Sequence, residues 1–132
     1  MKNWLAPIAV VFLFMAVVPA FGEIRGNDVL DSCQIAVRNF DDNGGPAGER
    51  FDAGWCSGWV NGALELTKLH NERTTLIKEK PTLLQFCVGV PGIPVIQAMR
   101  IVVKYLKEHP EQLHEDGMGL TVTALKDAFP CK

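Results

Sequence analysis

The chain has little of what a nucleic-acid binder, a zinc protein or a nucleophilic enzyme displays. Thirteen Lys and Arg face fifteen Asp and Glu, for a formal charge of −2, so no basic stripe meets phosphates and no nucleic acid partner is expected. Only three histidines are present, His70, His109 and His114. None stands at the four-residue helical spacing of paired zinc ligands, and Pro110 separates the last two, so helix capping or ordinary hydrogen bonding suits them better. The four cysteines, Cys33, Cys56, Cys87 and Cys131, are too scattered for a zinc ribbon or a thioredoxin-like redox pair. Ser32 and Ser57 adjoin cysteines and sit in no nucleophile elbow. The turn-rich run from Asp41 to Gly48 is acidic, yet Gly45 and Pro46 fall where a calcium EF-hand needs an oxygen ligand and its turn glycine. These absences predict a domain that binds and does not catalyse, with no cofactor and no metal.

What is present begins with an address. Lys2 precedes an uncharged, mostly apolar run from Trp4 to Val18, and Pro19, Ala20 and Gly22 supply the break and the small side chains of a processing site. The reading is a signal peptide over residues 1–22, cleaved after Gly22. A retained membrane anchor is the alternative, since Trp4 to Gly22 approaches the roughly 17 to 25 residues that span a bilayer. Cleavage leaves residues 23–132 as one small exported domain with no membrane attachment. In an oxidising compartment its four cysteines form two disulfides, each worth on the order of 2 to 5 kcal/mol. Three pairings are open, and spacing does not choose among them.

Apolar periodicity predicts four helices and no strand of useful length, a small all-α four-helix bundle held by disulfides. The first helix spans about Gly26 to Phe40, with Asn27 or Asp28 as its cap. The third starts after Gly92, with Pro94 in its first turn, and runs to about Glu108. Val95, Ile96, Met99, Val102, Val103 and Leu106 form its inner stripe, and Gln97, Arg100, Lys104 and Lys107 its outer one. The fourth starts at Pro110 and reaches about Ala128, weakened by Gly117 and Gly119. A short link makes the last two helices antiparallel neighbours, an arrangement that would bring Cys87 and Cys131 to one end.

The second helix, about Phe51 to His70, repeats glycine every four residues at Gly54, Gly58 and Gly62, beside a bulky stripe that includes Phe51, Trp55, Trp59 and Leu66. Each helical glycine costs roughly 0.8 to 1 kcal/mol relative to alanine, so the three need compensation. The expectation is a groove that admits another backbone inside the bundle, with Trp55 and Trp59 packing around the contact and this helix at the centre. A partner-binding surface is the alternative. Asn71 to Pro91 reads as a long irregular connection with one short helical turn over Thr82 to Phe86, tethered at Cys87.

Three blocks then resemble a known family: Cys56-Ser57-Gly58-Trp59-Val60-Asn61-Gly62, Tyr105-Leu106 followed by His109-Pro110-Glu111, and Ala124-Leu125-Lys126-Asp127-Ala128-Phe129-Pro130-Cys131. Together with His114 they are similar to the Rap/Tai family of type VI secretion immunity proteins, over about Asp31 to Lys132. The family often has a proline two residues after its third cysteine, whereas Cys87 is followed here by Val88, Gly89, Val90 and Pro91. The resemblance implies a periplasmic, disulfide-bonded homodimer that protects its producer by lying across the active-site cleft of a peptidoglycan amidase toxin. On that view the inhibitory surface is the Asn71 to Pro91 connection or the polar side of the third helix, and Arg73, Lys78, Glu79, Lys80, Arg100 and Lys104 are the candidate contacts. A small acid-activated chaperone of the HdeA type, or an orphan helical binding protein, is the rival reading. Such a chaperone would dissociate and expose apolar surface near pH 2 to 3, whereas an inhibitor has one tight partner at neutral pH.

Overall fold

The computed structural model describes residues 22–77, 86–88 and 92–131. The expected leader as far as Phe21, the residues Lys78, Glu79 and Lys80, and the expected turn from Thr82 as far as Gln85 lie outside them. Four helices build the all-α bundle: α1 (Gly26–Asp41), α2 (Arg50–Ile77), α3 (Val95–Glu108) and α4 (Gly117–Ala128). Single 3-10 turns, Ala47–Glu49 and Pro110–Gln112, precede α2 and follow α3. Among the described residues there is no strand, only an isolated bridge between Arg25 and Asp116.

Helix α1 is capped by Arg25, not by Asn27 or Asp28; the Asp28 carboxylate instead reaches back to accept the Arg25 backbone N–H at 2.9 Å. Its end is set by a left-handed turn at Asn43 and Gly44, with φ values of 57° and 133°, conformations that asparagine and glycine tolerate best. Helix α3 follows the sequence reading closely. Ala98, Met99, Val102, Val103 and Leu106 are buried while Gln97, Arg100, Lys104 and Lys107 face solvent.

Two boundaries differ. Helix α2 continues through Asn71 to Ile77, a stretch expected to be irregular. Thr74 and Thr75 carry only a weak β-branched penalty, and the length of the helix already formed offsets it, since propagation is far easier than nucleation. The fourth helix does not start at Pro110. The chain makes one 3-10 turn, then restarts at Gly117, where the Asp116 carboxylate caps the new helix by accepting the Gly119 N–H at 2.6 Å.

The reason for that restart is a close approach. The Ile24–Asn27 segment lies across the start of α4: Gly117 N–H donates to the Ile24 carbonyl (2.9 Å), Gly26 N–H to Glu115 (3.1 Å) and Asn27 N–H to Leu113 (3.0 Å). A Cβ at Gly117 would stand 2.8 Å from Val29 Cγ2 and 3.1 Å from the Arg25 and Ile24 carbonyl oxygens. One at Gly26 would stand 2.6 Å from Leu120 Cδ1. The glycines that admit another backbone are therefore Gly26 and Gly117. By contrast, a Cβ at Gly54, Gly58 or Gly62 meets nothing within 4 Å. Their face of α2 is turned outward, which corrects the expected internal groove, and α1 rather than α2 has the most extensive contacts with the other three helices.

The inner seam of α2 is Cys56, Val60, Ala63 and Thr67, all buried. Cys56 is joined to Cys33 of α1, and Cys87 to Cys131, so the pairing left open by spacing is Cys33–Cys56 and Cys87–Cys131. Trp55 and Trp59 are half-buried and stack at 5.1 Å between centroids. The Trp59 indole N–H donates to Thr121 Oγ1 (3.0 Å), whose own hydroxyl donates to the Gly117 carbonyl (2.7 Å). This relay ties the outer edge of α2 to the close-packed start of α4.

Two substitutions therefore have opposite expected signs. Gly117→Ala overpacks a backbone contact and should lower stability by about 1 to 3 kcal/mol, whereas Gly58→Ala should raise it by about 0.5 to 1 kcal/mol. Thermal unfolding of dilute protein checks both. Thr121→Val removes the hydroxyl that accepts the Trp59 N–H and should cost about 1 to 3 kcal/mol by the same measurement.

Candidate partner-binding site

The segment Phe86–Val88 is held to the bundle by three ties. The Phe86 side chain is buried, its carbonyl accepts the Asn71 Nδ2–H at 2.9 Å, and the Cys87 N–H donates to the Phe129 carbonyl at 2.9 Å, beside the Cys87–Cys131 disulfide. Beside this segment and the outer half of α2 lies a cavity of about 540 Å³. Phe86, Val88, Ile93 and Val95 form one side, while Asn61, Leu64, Thr67 and Asn71 of α2 form another, with Glu65, Lys68 and Glu72 at its edge. The mix of apolar walls and charged edges suits a protein segment better than a small metabolite.

The expected contact residues divide between helices. Arg73 is exposed on α2. Arg100 and Lys104 stand one turn apart on the outer side of α3, where each is engaged: Arg100 pairs with Asp41 and lies 5.8 Å over the Phe40 ring, and Lys104 reaches Glu108 at 3.9 Å. Exposed pairs of this kind contribute little to stability, so these cations are available to a partner at small cost. The cavity-edge residues Glu65, Lys68 and Glu72 were not singled out from sequence. Their spacing along α2 carried the signal, but only the position of Phe86 shows which side of the helix they border.

The His109-Pro110-Glu111 block forms a corner brace between α3 and α4. The Tyr105 ring packs on His109 at 4.3 Å, its hydroxyl donates to Gln112 Oε1 at 3.2 Å, and His109 Nδ1 stands 3.2 Å from Glu111 Oε1. A backbone N–H at the start of the 3-10 turn, and then the His109 side chain, hold the Glu111 carboxyl below its ordinary pKa. Burial, then the charges of Asp127, Glu115 and Glu111, push the Tyr105 phenol up. Among the described residues no three His, Cys, Asp or Glu side chains converge into a metal-ligating group, and all four sulfurs are in disulfides. The His109–Glu111 contact belongs to this corner brace, joining α3 to the 3-10 turn that follows it.

The parts together are a disulfide-stapled helical bundle with a firmly tied segment beside a cavity. The family model of Rap1a immunity proteins matches residues 25–131, and the chain belongs to that family, a Rap/Tai type VI secretion immunity protein. No curated protein and no solved structure matches it. The matched blocks have physical roles: Cys56, Trp59 and Val60 face or brace the core, Tyr105 to Glu111 turn the corner, and Ala124 to Cys131 supply core residues and anchor Phe86–Val88.

Because the Glu111 pKa is depressed in the folded state, its contribution to stability is present above the usual carboxylate range and is lost as pH falls through the lowered value. An NMR pH titration of Glu111 should show this depression. In His109→Gln the value should rise only part of the way, since the larger backbone contribution stays.

Proposed function

We propose that the protein is exported through a leader of residues 1–22, cleaved after Gly22, and acts in the periplasm as an immunity protein. It binds a peptidoglycan amidase toxin delivered by a type VI secretion system and covers its active-site cleft, protecting the producer without chemistry of its own. Membership of the immunity family supports the role. Two disulfides fit an oxidising compartment, and among the described residues no helix is long and apolar enough to cross a membrane.

The observation that carries the occlusion mechanism is the three-way anchoring of Phe86–Val88 beside the groove. A segment already fixed loses little conformational freedom on binding, so its contacts count toward affinity rather than toward ordering. Lys78, Glu79 and Lys80, with Arg73, are proposed as contacts to the toxin, and Arg100 and Lys104 as a second set. A homodimer is proposed as the working form.

The test is inhibition of a type VI peptidoglycan amidase, taken from the neighbouring reading frame where that frame encodes one. The purified oxidised protein should bind that enzyme and abolish cleavage of peptidoglycan, and Cys87→Ser/Cys131→Ser should weaken inhibition about 10-fold or more while far-ultraviolet circular dichroism still reports a helical bundle. Absence of binding at micromolar concentration would remove the proposed function. Full inhibition by the double variant would remove the role of the anchored segment.

A further inference from the structure

The two disulfides hold different kinds of structure. Cys33 and Cys56 stand within α1 and α2, and both are wholly buried in the core. Cys87 and Cys131 lie outside the helices, one in the Phe86–Val88 segment and one just beyond the end of α4, and both are exposed. Breaking a disulfide by exchange requires a thiolate to reach one of its sulfurs, so access sorts the two bonds. The core pair is shielded until the bundle opens, while the outer pair is open to attack in the folded protein.

The two bonds also differ in what they hold. Cys33–Cys56 joins two helices that pack against each other along the core. Cys87–Cys131 ties Phe86–Val88 to the end of α4, and without it that segment keeps only non-covalent ties: the buried Phe86 ring, the Asn71 Nδ2–H on the Phe86 carbonyl, and the Cys87 N–H on the Phe129 carbonyl. The last of these stands next to the disulfide, since Phe129 caps α4 two residues before Cys131. The bond whose sulfurs are in reach of solvent is therefore the one whose mechanical effect is confined to the segment beside the cavity.

We propose that Cys87–Cys131 is a thiol-exchange site that acts as a redox latch on Phe86–Val88, while Cys33–Cys56 is a permanent staple. The co-reactant is a dithiol reductant. One of its thiolates attacks a sulfur of the outer pair, the S–S bond breaks, and a mixed disulfide forms as the other cysteine leaves as a thiolate and takes up a proton. The reductant's second thiolate then displaces the bound cysteine. Two electrons have passed, leaving the reductant as a disulfide and Cys87 and Cys131 as thiols. The core staple keeps the bundle together, and only the segment loses its covalent anchor. Oxidised, the segment is set for binding; reduced, it must be ordered at the moment of contact. The consequence for toxin binding rests on the occlusion proposed above, whereas the exchange site itself does not.

Graded dithiothreitol at neutral pH, followed by alkylation with iodoacetamide and peptide mass spectrometry of the purified oxidised protein, tests it. Cys87 and Cys131 should be labelled about 10-fold or more faster than Cys33 and Cys56, with helical circular dichroism unchanged while only the outer pair is labelled. In that partly reduced protein the Cys87 amide should exchange with deuterium about 10-fold or more faster than in the oxidised form, and reoxidation should restore its protection. Labelling of both pairs at one rate overturns the exchange site. Selective labelling with an unchanged Cys87 amide overturns the latch. Amidase binding that weakens on reduction and returns on reoxidation supports the latch as a control on function. An oxidised protein that binds no amidase overturns the immunity role alone, and the labelling and exchange results still decide the latch.

Discussion

The bundle depends on the place where the segment leading into α1 meets the segment leading into α4, backbone against backbone. The Ile24–Asn27 segment and the start of α4 exchange three backbone hydrogen bonds across Gly26 and Gly117, and neither position has room for a side chain. Those bonds orient α1, which then serves as the helix against which the other three pack. They also explain why α3 and α4 are separate elements joined by a braced corner, since the chain must leave the helical path between Leu113 and Asp116 to meet the incoming segment. The Trp59–Thr121–Gly117 relay carries the same constraint to α2.

Much of this was legible in the sequence. Helix α3 was readable almost to the residue because its apolar stripe is clean and prolines stand at its boundaries. The loop after α1 was readable from its turn formers, and the two-disulfide bundle from four scattered cysteines too far apart for a metal ribbon. The family resemblance lay in blocks whose physical roles prove to be bracing and anchoring. Periodicity also found the bulky stripe of α2, but it could not say which of its members face inward.

The glycines show why the rest was hidden. Gly54, Gly58 and Gly62 looked like the contact that needed small residues, because a run at helical spacing is conspicuous. Gly117 looked like a weakness in a helix. The roles are reversed, and no local signal distinguishes them: whether a glycine is required is decided by what stands opposite, and here that is a segment some ninety residues away in the chain. The extension of α2 through Ile77 was obscured in a similar way, since Thr74 and Thr75 weigh against helix only when the preceding turns are ignored. The candidate groove could not be read at all, because it exists only once Phe86 is pinned beside α2 by Asn71 and the Cys87–Cys131 bond.

The two-sidedness of α2 has an evolutionary reading. Its inner seam, Cys56, Val60, Ala63 and Thr67, answers to the bundle, while Gly58 and Leu66, interleaved with them, answer only to whatever lies outside. Substitutions on the outer side can thus accumulate, position by position, while the architecture set by the inner seam is inherited unchanged.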